Sequence, residues 1–155
     1  MSAVLKPSPL QFRPMAEADL DAILEIESAA YEFPWTLAIF QDCLRVGYCC
    51  WLLERNGRVT GYGVMSVGAG ESHILNLCIC PELQGMGLGR SLLEYLLEVA
   101  RAHKADVVFL EVRPSNEIAK RLYLGAGFDE VGMRRNYYPA AFGREDAIIM
   151  ARSLS

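Results

Sequence analysis

This chain has few histidines, no long apolar run and no surplus of positive charge, and each shortage excludes something. Its two histidines, His73 and His103, stand far apart, and its five cysteines, Cys43, Cys49, Cys50, Cys78 and Cys80, form one C-C and one C-x-C instead of the C-x-x-C pairs of a zinc site. No metal is therefore expected. An odd number of cysteines, in a chain whose opening MSAVLKPSPL lacks the apolar core of a signal peptide, argues against a disulfide framework and for reduced thiols. No apolar run approaches the roughly 18 residues of a membrane helix, so the expected setting is the cytoplasm, with no membrane partner. Lys and Arg number 15 against 19 Asp and Glu, a net charge of −4, which leaves no basic face for direct binding of nucleic acid. Repeats and low-complexity linkers are missing as well. What remains is a chain of 155 residues, 52% of them hydrophobic. That suffices for one domain with a real core, expected to span 1–155 with 1–9 as a flexible N-terminal segment.

Leu10 to Arg13 reads as a short first strand. From Glu17 to Ala30, Leu20, Ile23, Leu24 and Glu27 recur at helical spacing, with acidic residues in the opening turn where the helix dipole favours them. Pro34 in FPW stops that helix, and Thr36 is placed to cap a second, TLAIFQDCLR. YCCWLLER and RVTGYGVMSV flank Asn56-Gly57, the pair that supplies the positive φ angles of a type I′ hairpin. ESHILNLCIC follows as another strand, with Cys78 and Cys80 facing a core. The apolar pattern from Gly87 to Lys104 predicts a helix, DVVFLEV a buried strand, and SNEIAKRLYLGAGF a short helix closed by Gly125 or Gly127. Two strands, Phe128 to Tyr137 and Glu145 to Ala151, end the chain around YPAAFGR. The predicted fold class is mixed α/β: a central sheet of about seven strands with about four flanking helices, antiparallel in its first half and with strand-helix-strand crossovers in its second.

Three places hold residues suited to chemistry. QGMGLGR, Gln84 to Arg90, puts Gly85, Gly87 and Gly89 at the mouth of a helix, where unpaired N–H groups and positive partial charge gather. A phosphate suits such a mouth, and a connection that merely needs to bend accounts for the glycines equally well. The dinucleotide motif G-x-G-x-x-G fails at Arg90, and the P-loop fails for want of Lys-Ser or Lys-Thr, which leaves Q-x-x-G-x-G followed by arginine. In DVVFLEV, Val107, Phe109 and Glu111 share one face. Burial there would raise the Glu111 carboxyl toward neutrality and make it a usable base; a strand-end glutamate that reaches solvent or pairs with Arg113 is the plainer alternative. Ser115 and Asn116 look like a helix cap, and Tyr123, near the same helix face as Asn116, like a core tyrosine with a wet hydroxyl. Ser66 in GVMSVG misses the G-x-S-x-G nucleophile elbow, and neither histidine has a triad's context. MRRNYYPAAFGR interleaves cations with aromatics, as a solvated hairpin does.

Taken together, these residues resemble the GCN5-related N-acetyltransferase (GNAT) family over nearly the whole chain. Q-x-x-G-x-G with Arg90 behind it, opening a helix after a strand, is similar to that family's acetyl-CoA pyrophosphate loop. FPW, LEVRPSN, LY, GAGF, RRNYYP and GREDAIIM, in that order, are similar to its RimI subfamily, the ribosomal-protein-alanine N-acetyltransferases. The resemblance implies an acyltransferase that uses acetyl-CoA as co-substrate and acts on the N-terminal alanine of small-subunit ribosomal protein 18, working as a monomer or weak dimer. It implies that the main-chain amides of Gly85, Met86, Gly87, Leu88, Gly89 and Arg90 hold the pyrophosphate, that the backbone of Leu77, Cys78 and Ile79 runs beside the pantetheine arm, and that Asn116 contacts pantetheine. Glu111 matches the family's general base and Tyr123 its general acid, while Phe33, Trp35, Tyr137 and Tyr138 would flank the acceptor opening with Glu32 in reach. Gly85 departs from the family pattern, which often carries Arg or Lys there. Arg90 and bare amides must then hold the phosphates, and affinity for CoA is the property affected.

The resemblance has energetic consequences. An N-terminal amine titrates at about 7.8 and a lysine at about 10.4, so the former takes ~3.5 kcal/mol less work to deprotonate. A tyrosine at about 10 protonating a thiolate at about 8.5 works uphill unless the site lowers the tyrosine. Two other functions fit the same residues: acetylation of lysine side chains or of a small amine such as a polyamine, and a non-catalytic acyl-CoA-binding module, against which Glu111 and Tyr123 count.

Overall fold

The computed structural model describes residues 10–155, so the segment 1–9, expected to be flexible, lies outside the described residues. The strands are β1 (Leu10–Pro14), β2 (Cys49–Arg55), β3 (Arg58–Gly68), β4 (Glu71–Ile79), β5 (Val107–Val112), β6 (Asp129–Pro139) and β7 (Arg144–Ser153). The helices are α1 (Leu20–Ala30), α2 (Leu37–Arg45), α3 (Leu88–Ala102) and α4 (Glu117–Gly125). All seven strands form one sheet in the order β1-β2-β3-β4-β5-β7-β6. Its pairs are antiparallel except β4 with β5, whose crossover is α3. The mixed α/β class read from the sequence is the observed one.

Local chemistry explains most boundaries. The Thr36 hydroxyl accepts the Ile39 N–H and caps α2. Asn56 and Gly57 turn β2 into β3 at φ 58° and 72°. Gly127 closes α4 at φ 91°, with the Phe128 N–H returning to the Tyr123 carbonyl at 3.0 Å. One boundary differs by more than two residues: Glu17–Asp19 is a 3-10 turn, and the α-helix begins at Leu20. The reason lies in Asp19, whose carboxylate accepts the Ala16 N–H at 2.8 Å while Arg13 grips it at 2.6 and 2.8 Å.

Helices cover both faces of the sheet. On one, Leu93, Leu96, Leu97 and Ala100 of α3 pack with Met65, Ile74, Val108 and Leu110 of the strands and with Tyr123 and Phe128. On the other, Ile23 of α1 and Phe40 and Cys43 of α2 meet Leu52, Tyr62, Val64 and Cys78. Leu92, Leu93, Leu96 and Leu97 are wholly buried, and each contributes roughly 2 kcal/mol relative to exposure, which fixes α3 against the sheet. Among the described residues, no helix is long and apolar enough to cross a membrane.

The feature that positions the site is a gap. β4 and β5 pair only from Glu71–Ile74 to Val107–Leu110. The β3–β4 register then slips, so that Val64 faces Asn76 and Met65 faces Ile74, and Leu75 has no opposite residue. Beyond that bulge β4 stays with β3 as far as Ile79 and β5 stays with β7 as far as Val112. The two central strands therefore diverge toward their C-terminal ends.

Candidate active site

Backbone groups line this gap. The Cys80 N–H turns toward β3, donating to the Thr60 carbonyl at 2.8 Å. Since successive amides in a strand point to opposite sides, those of Leu77 and Ile79 face away from β3, into the opening. Their carbonyls confirm the direction: Leu77 accepts the Tyr31 hydroxyl at 3.1 Å and Ile79 accepts Gln84 Nε2 at 3.2 Å. The side chains of Cys78 and Ile79 are buried. What these residues offer a ligand is therefore main chain.

Where β4 ends, the glycine loop begins. Gly85 and Gly87 adopt φ 82° and 80°, and a Cβ at either would meet nothing within 4 Å; torsion rather than space demands glycine there. Among the described residues, no side chain caps α3 at Gly87, and the first amide to find a helical acceptor is that of Ser91, at 3.1 Å from the Gly87 carbonyl. The N–H groups of Leu88, Gly89 and Arg90 thus open the helix unpaired within it, an arrangement suited to phosphate. At Gly89 a Cβ would lie 3.5 Å from Leu122 and 3.7 Å from Ile79, ordinary contact distances, so neither torsion nor space demands glycine there. The Arg90 side chain departs from the sequence expectation. Its Nε pairs with Glu94 at 2.7 Å and its Nη1 donates to the Gly125 carbonyl at 3.1 Å, so the guanidinium ties α3 to α4 and only the backbone N–H stays with the loop.

A cleft of about 680 Å³ is lined by the α1–α2 elbow, β4, α4 and the β6–β7 hairpin. Phe33, Trp35, Asn76, Leu77, Asn116, Tyr123 and Tyr138 all reach it. Tyr137 does not. Adjacent strand residues point to opposite faces, and Tyr137, 45% exposed, lies instead under Arg134, 5.7 Å from its ring. Asn116 caps α4, its Oδ1 accepting the Ala119 N–H at 3.1 Å, and the residue also lines the cleft.

Two cleft residues were missed by motif reading. Glu27, 2% exposed, accepts from the Tyr62 hydroxyl at 2.7 Å, Asn76 Nδ2 at 2.9 Å and the Trp35 N–H at 2.8 Å, so it locks α1 to β3, β4 and the elbow. A glutamate inside an apolar helical stripe was the available signal. Arg113 lies 4.3 Å from the Tyr138 ring and 5.6 Å from that of Phe33, and donates to the Pro139 carbonyl at 2.7 Å and to Glu145 at 3.2 Å. Its acidic partner is thus Glu145 across the sheet, and the Glu111–Arg113 pair does not form.

Glu111 has its own partners. Its side chain is 8% exposed; Oε2 is hydrogen-bonded to His73 Nε2, and Oε1 lies 3.2 Å from Arg134 Nε. Burial pushes its pKa up, but the His73 contact and the Arg134 charge outweigh burial and hold it below the usual glutamate value. The expected shift toward neutrality is reversed, because the parallel register sets His73 opposite Phe109 and Arg134 reaches over from β6. Glu111 is an ionised carboxylate just behind Val112 and Arg113, which line the cleft. Tyr123, 7% exposed, is pushed up to about 12 by burial, with the Cys78 thiol adding to it. The site therefore does not lower the tyrosine, and its transfer to a thiolate at about 8.5 is uphill by roughly 3.5 units.

Residues 20–128 match the acetyltransferase (GNAT) family. The [ribosomal protein bS18]-alanine N-acetyltransferase of Escherichia coli strain K12 is 40% identical over 137 residues, covering 88% of this chain and 93% of that protein. The crystal structure of the ribosomal-protein-S18-alanine N-acetyltransferase from Escherichia coli superposes with a TM-score of 0.88 at 37% identity, covering 95% of both chains. The structure of yncA from Salmonella typhimurium with its cofactor acetyl-CoA superposes with a TM-score of 0.78 at 26% identity, covering 96% of this chain and 95% of that one.

Proposed function

The chain belongs to the acetyltransferase (GNAT) family, and on that footing we propose that it moves the acetyl group of acetyl-CoA to the N-terminal alanine of small-subunit ribosomal protein 18, in the cytoplasm. The observation that carries the transfer is the divergence of β4 from β5, which turns two backbone amides into the opening beside an uncapped helix mouth. The choice of acceptor is supported by the likeness to the Escherichia coli alanine N-acetyltransferase.

Acetyl-CoA supplies the acetyl group as an activated thioester. The amides from Gly85 to Arg90 hold its pyrophosphate, the backbone of Leu77 to Ile79 and the Asn116 amide run along its pantetheine, and the Arg90 guanidinium serves α4. Without a cation at Gly85, the loop binds through main-chain dipoles. Glu111, through water, takes the proton that the acceptor ammonium must lose. To a carboxylate held below its usual value that transfer is uphill for either amine, and by about 2.6 units, ~3.5 kcal/mol, less for an N-terminal amine than for a lysine. The paired, ionised Glu111 therefore suits α-amines. Outward amides of β4 face negative charge developing on the carbonyl oxygen, and Tyr123 gives a proton to the departing sulfur. Phe33, Trp35 and Tyr138, braced by Arg113, frame the incoming peptide, with Tyr137 at the outer rim.

The test is incubation with acetyl-CoA and three acceptors: a peptide beginning with alanine and then basic residues, the same peptide blocked at its N-terminus but carrying lysine, and spermidine. Turnover on the first is expected. Turnover confined to either of the others contradicts the proposed acceptor, and CoA binding without any turnover contradicts catalysis.

A further inference from the structure

Phe142 is 98% exposed, and no other large apolar side chain among the described residues exceeds 73%. Single exposed hydrophobics are ordinary on protein surfaces; what distinguishes this one is where it is held. It stands at the tip of the β6–β7 hairpin, and that tip is tied on both arms. Pro139 pairs with Arg144, the Ala140 N–H donates to the Gly143 carbonyl at 3.2 Å, and Gly143 turns the chain at φ 81°. Arg144 donates to the Asn136 and Tyr137 carbonyls at 2.7 and 2.8 Å, and Arg113 to that of Pro139 at 2.7 Å. The ring is thus presented to solvent from a fixed turn. The same turn borders the substrate cleft: Pro139, Ala140 and Ala141 line it, as do Phe33 and Trp35 of the elbow, and Phe142 is the next residue along the chain.

We propose that Phe142 is a specificity residue that reads the acceptor beyond its first residues, receiving an aromatic or large aliphatic side chain at position 3 or 4 of the peptide. The inference rests on the reading above, in which the acceptor enters by this cleft. A cleft of about 680 Å³, taken as a cube, is roughly 9 Å across, a span that two to three extended residues cross. With its α-amine at the inner end, beside Tyr123 and the outward amides of β4, the peptide brings its third or fourth side chain to the mouth. A flat ring suits that place, because it offers a large apolar area to whatever packs on it, and aromatic anchors dominate many peptide and protein contacts. Covering about half of such a ring is worth roughly tenfold in affinity. Phe142 touches no reacting atom, so its effect falls on the acceptor KM and leaves kcat to Glu111 and Tyr123.

The experiment uses peptides that begin with alanine and continue with basic residues, each carrying one phenylalanine at position 3, 4 or 8, together with counterparts that have serine there. Acceptor KM and kcat are measured for wild type, Phe142→Ser and Phe142→Tyr. Wild-type KM is expected to fall about tenfold for phenylalanine at position 3 or 4, to stay level for phenylalanine at position 8, and to change without a matching change in kcat. Phe142→Ser should abolish the difference between phenylalanine and serine peptides, and Phe142→Tyr should keep it. Because the ring is exposed, both variants should unfold at the wild-type temperature, which excludes a folding defect as the cause. A gain that survives Phe142→Ser, or one of equal size at all three positions, overturns the proposal. Turnover without any preference for phenylalanine removes this inference alone, whereas a wild type that acetylates none of the peptides removes the proposed acceptor and the inference with it.

Discussion

Glu27 should be worth far more to this protein than its distance from the glycine loop suggests. Its Oε1 accepts both the Tyr62 hydroxyl at 2.7 Å and Asn76 Nδ2 at 2.9 Å, and its Oε2 accepts the Trp35 N–H at 2.8 Å. Glu27→Ala strands all three donors in a site 2% exposed. Each unsatisfied buried donor costs about 1–3 kcal/mol, and water entering the vacated space relieves part of that, so the expected loss is about 4 kcal/mol, against a total stability of about 5–15 kcal/mol. Glu27→Gln is milder: its carbonyl oxygen can keep Tyr62 and Asn76, while its NH₂ faces the Trp35 N–H, leaving one donor stranded at about 1–3 kcal/mol. Urea unfolding measures this directly. With m of about 2 kcal/mol/M, the midpoint should fall by ~2 M for alanine and by about half that for glutamine. Because Trp35 is anchored through Glu27, the acceptor KM should rise in Glu27→Gln while that for acetyl-CoA holds. A midpoint for Glu27→Ala within ~0.3 M of wild type, or a glutamine variant weaker than alanine, would mean that these three hydrogen bonds do not hold the elbow in place.

Three further outcomes follow from the geometry. Gly87→Ala forces a side chain into φ 80°, at about 1–2 kcal/mol, and calorimetry should show CoA binding roughly tenfold weaker; unchanged affinity would remove the loop from the pyrophosphate site. Tyr123→Phe should lower kcat and leave both KM values alone, whereas a change confined to the acceptor KM makes Tyr123 a binding residue. The pH–rate profile should show no carboxylate limb near neutrality: Glu111 works as an ionised base and its pKa is held down by His73 and Arg134, so activity is lost to its protonation only on falling through the acid range below the usual glutamate value. The rise toward alkaline pH should follow the acceptor amine, at about 7.8. A limb that moves into the neutral range in wild type would mean that the His73 and Arg134 contacts do not govern Glu111.

Features set by neighbours along the chain were legible in the sequence. Thr36 caps α2 and Asn56-Gly57 turns the hairpin because the groups they satisfy lie within a few residues. The bare helix mouth after Gly87 belongs with them. The chemistry of Glu111 does not, since its electrostatics depend on His73, 38 positions away on β4, and on Arg134 from β6. Burial alone pointed the wrong way. Arg90 illustrates the same limit: its position after the last glycine suggested a phosphate ligand, but its charge is satisfied by Glu94 and by the end of α4. Tyr137 and Tyr138 sit side by side in sequence, and only the hairpin's geometry, with a register shift between Arg134 and Tyr138, decides which one meets the cleft.

The most direct measurement is made on the substrate itself. Unmodified small-subunit ribosomal protein 18 is incubated with acetyl-CoA and this protein, and the modified residue is located by mass spectrometry of its peptides. A single acetyl group is expected on the α-amine of the N-terminal alanine, absent when Glu111→Gln replaces the wild type. Acetyl groups on lysine side chains, or an N-terminus left free, would contradict it.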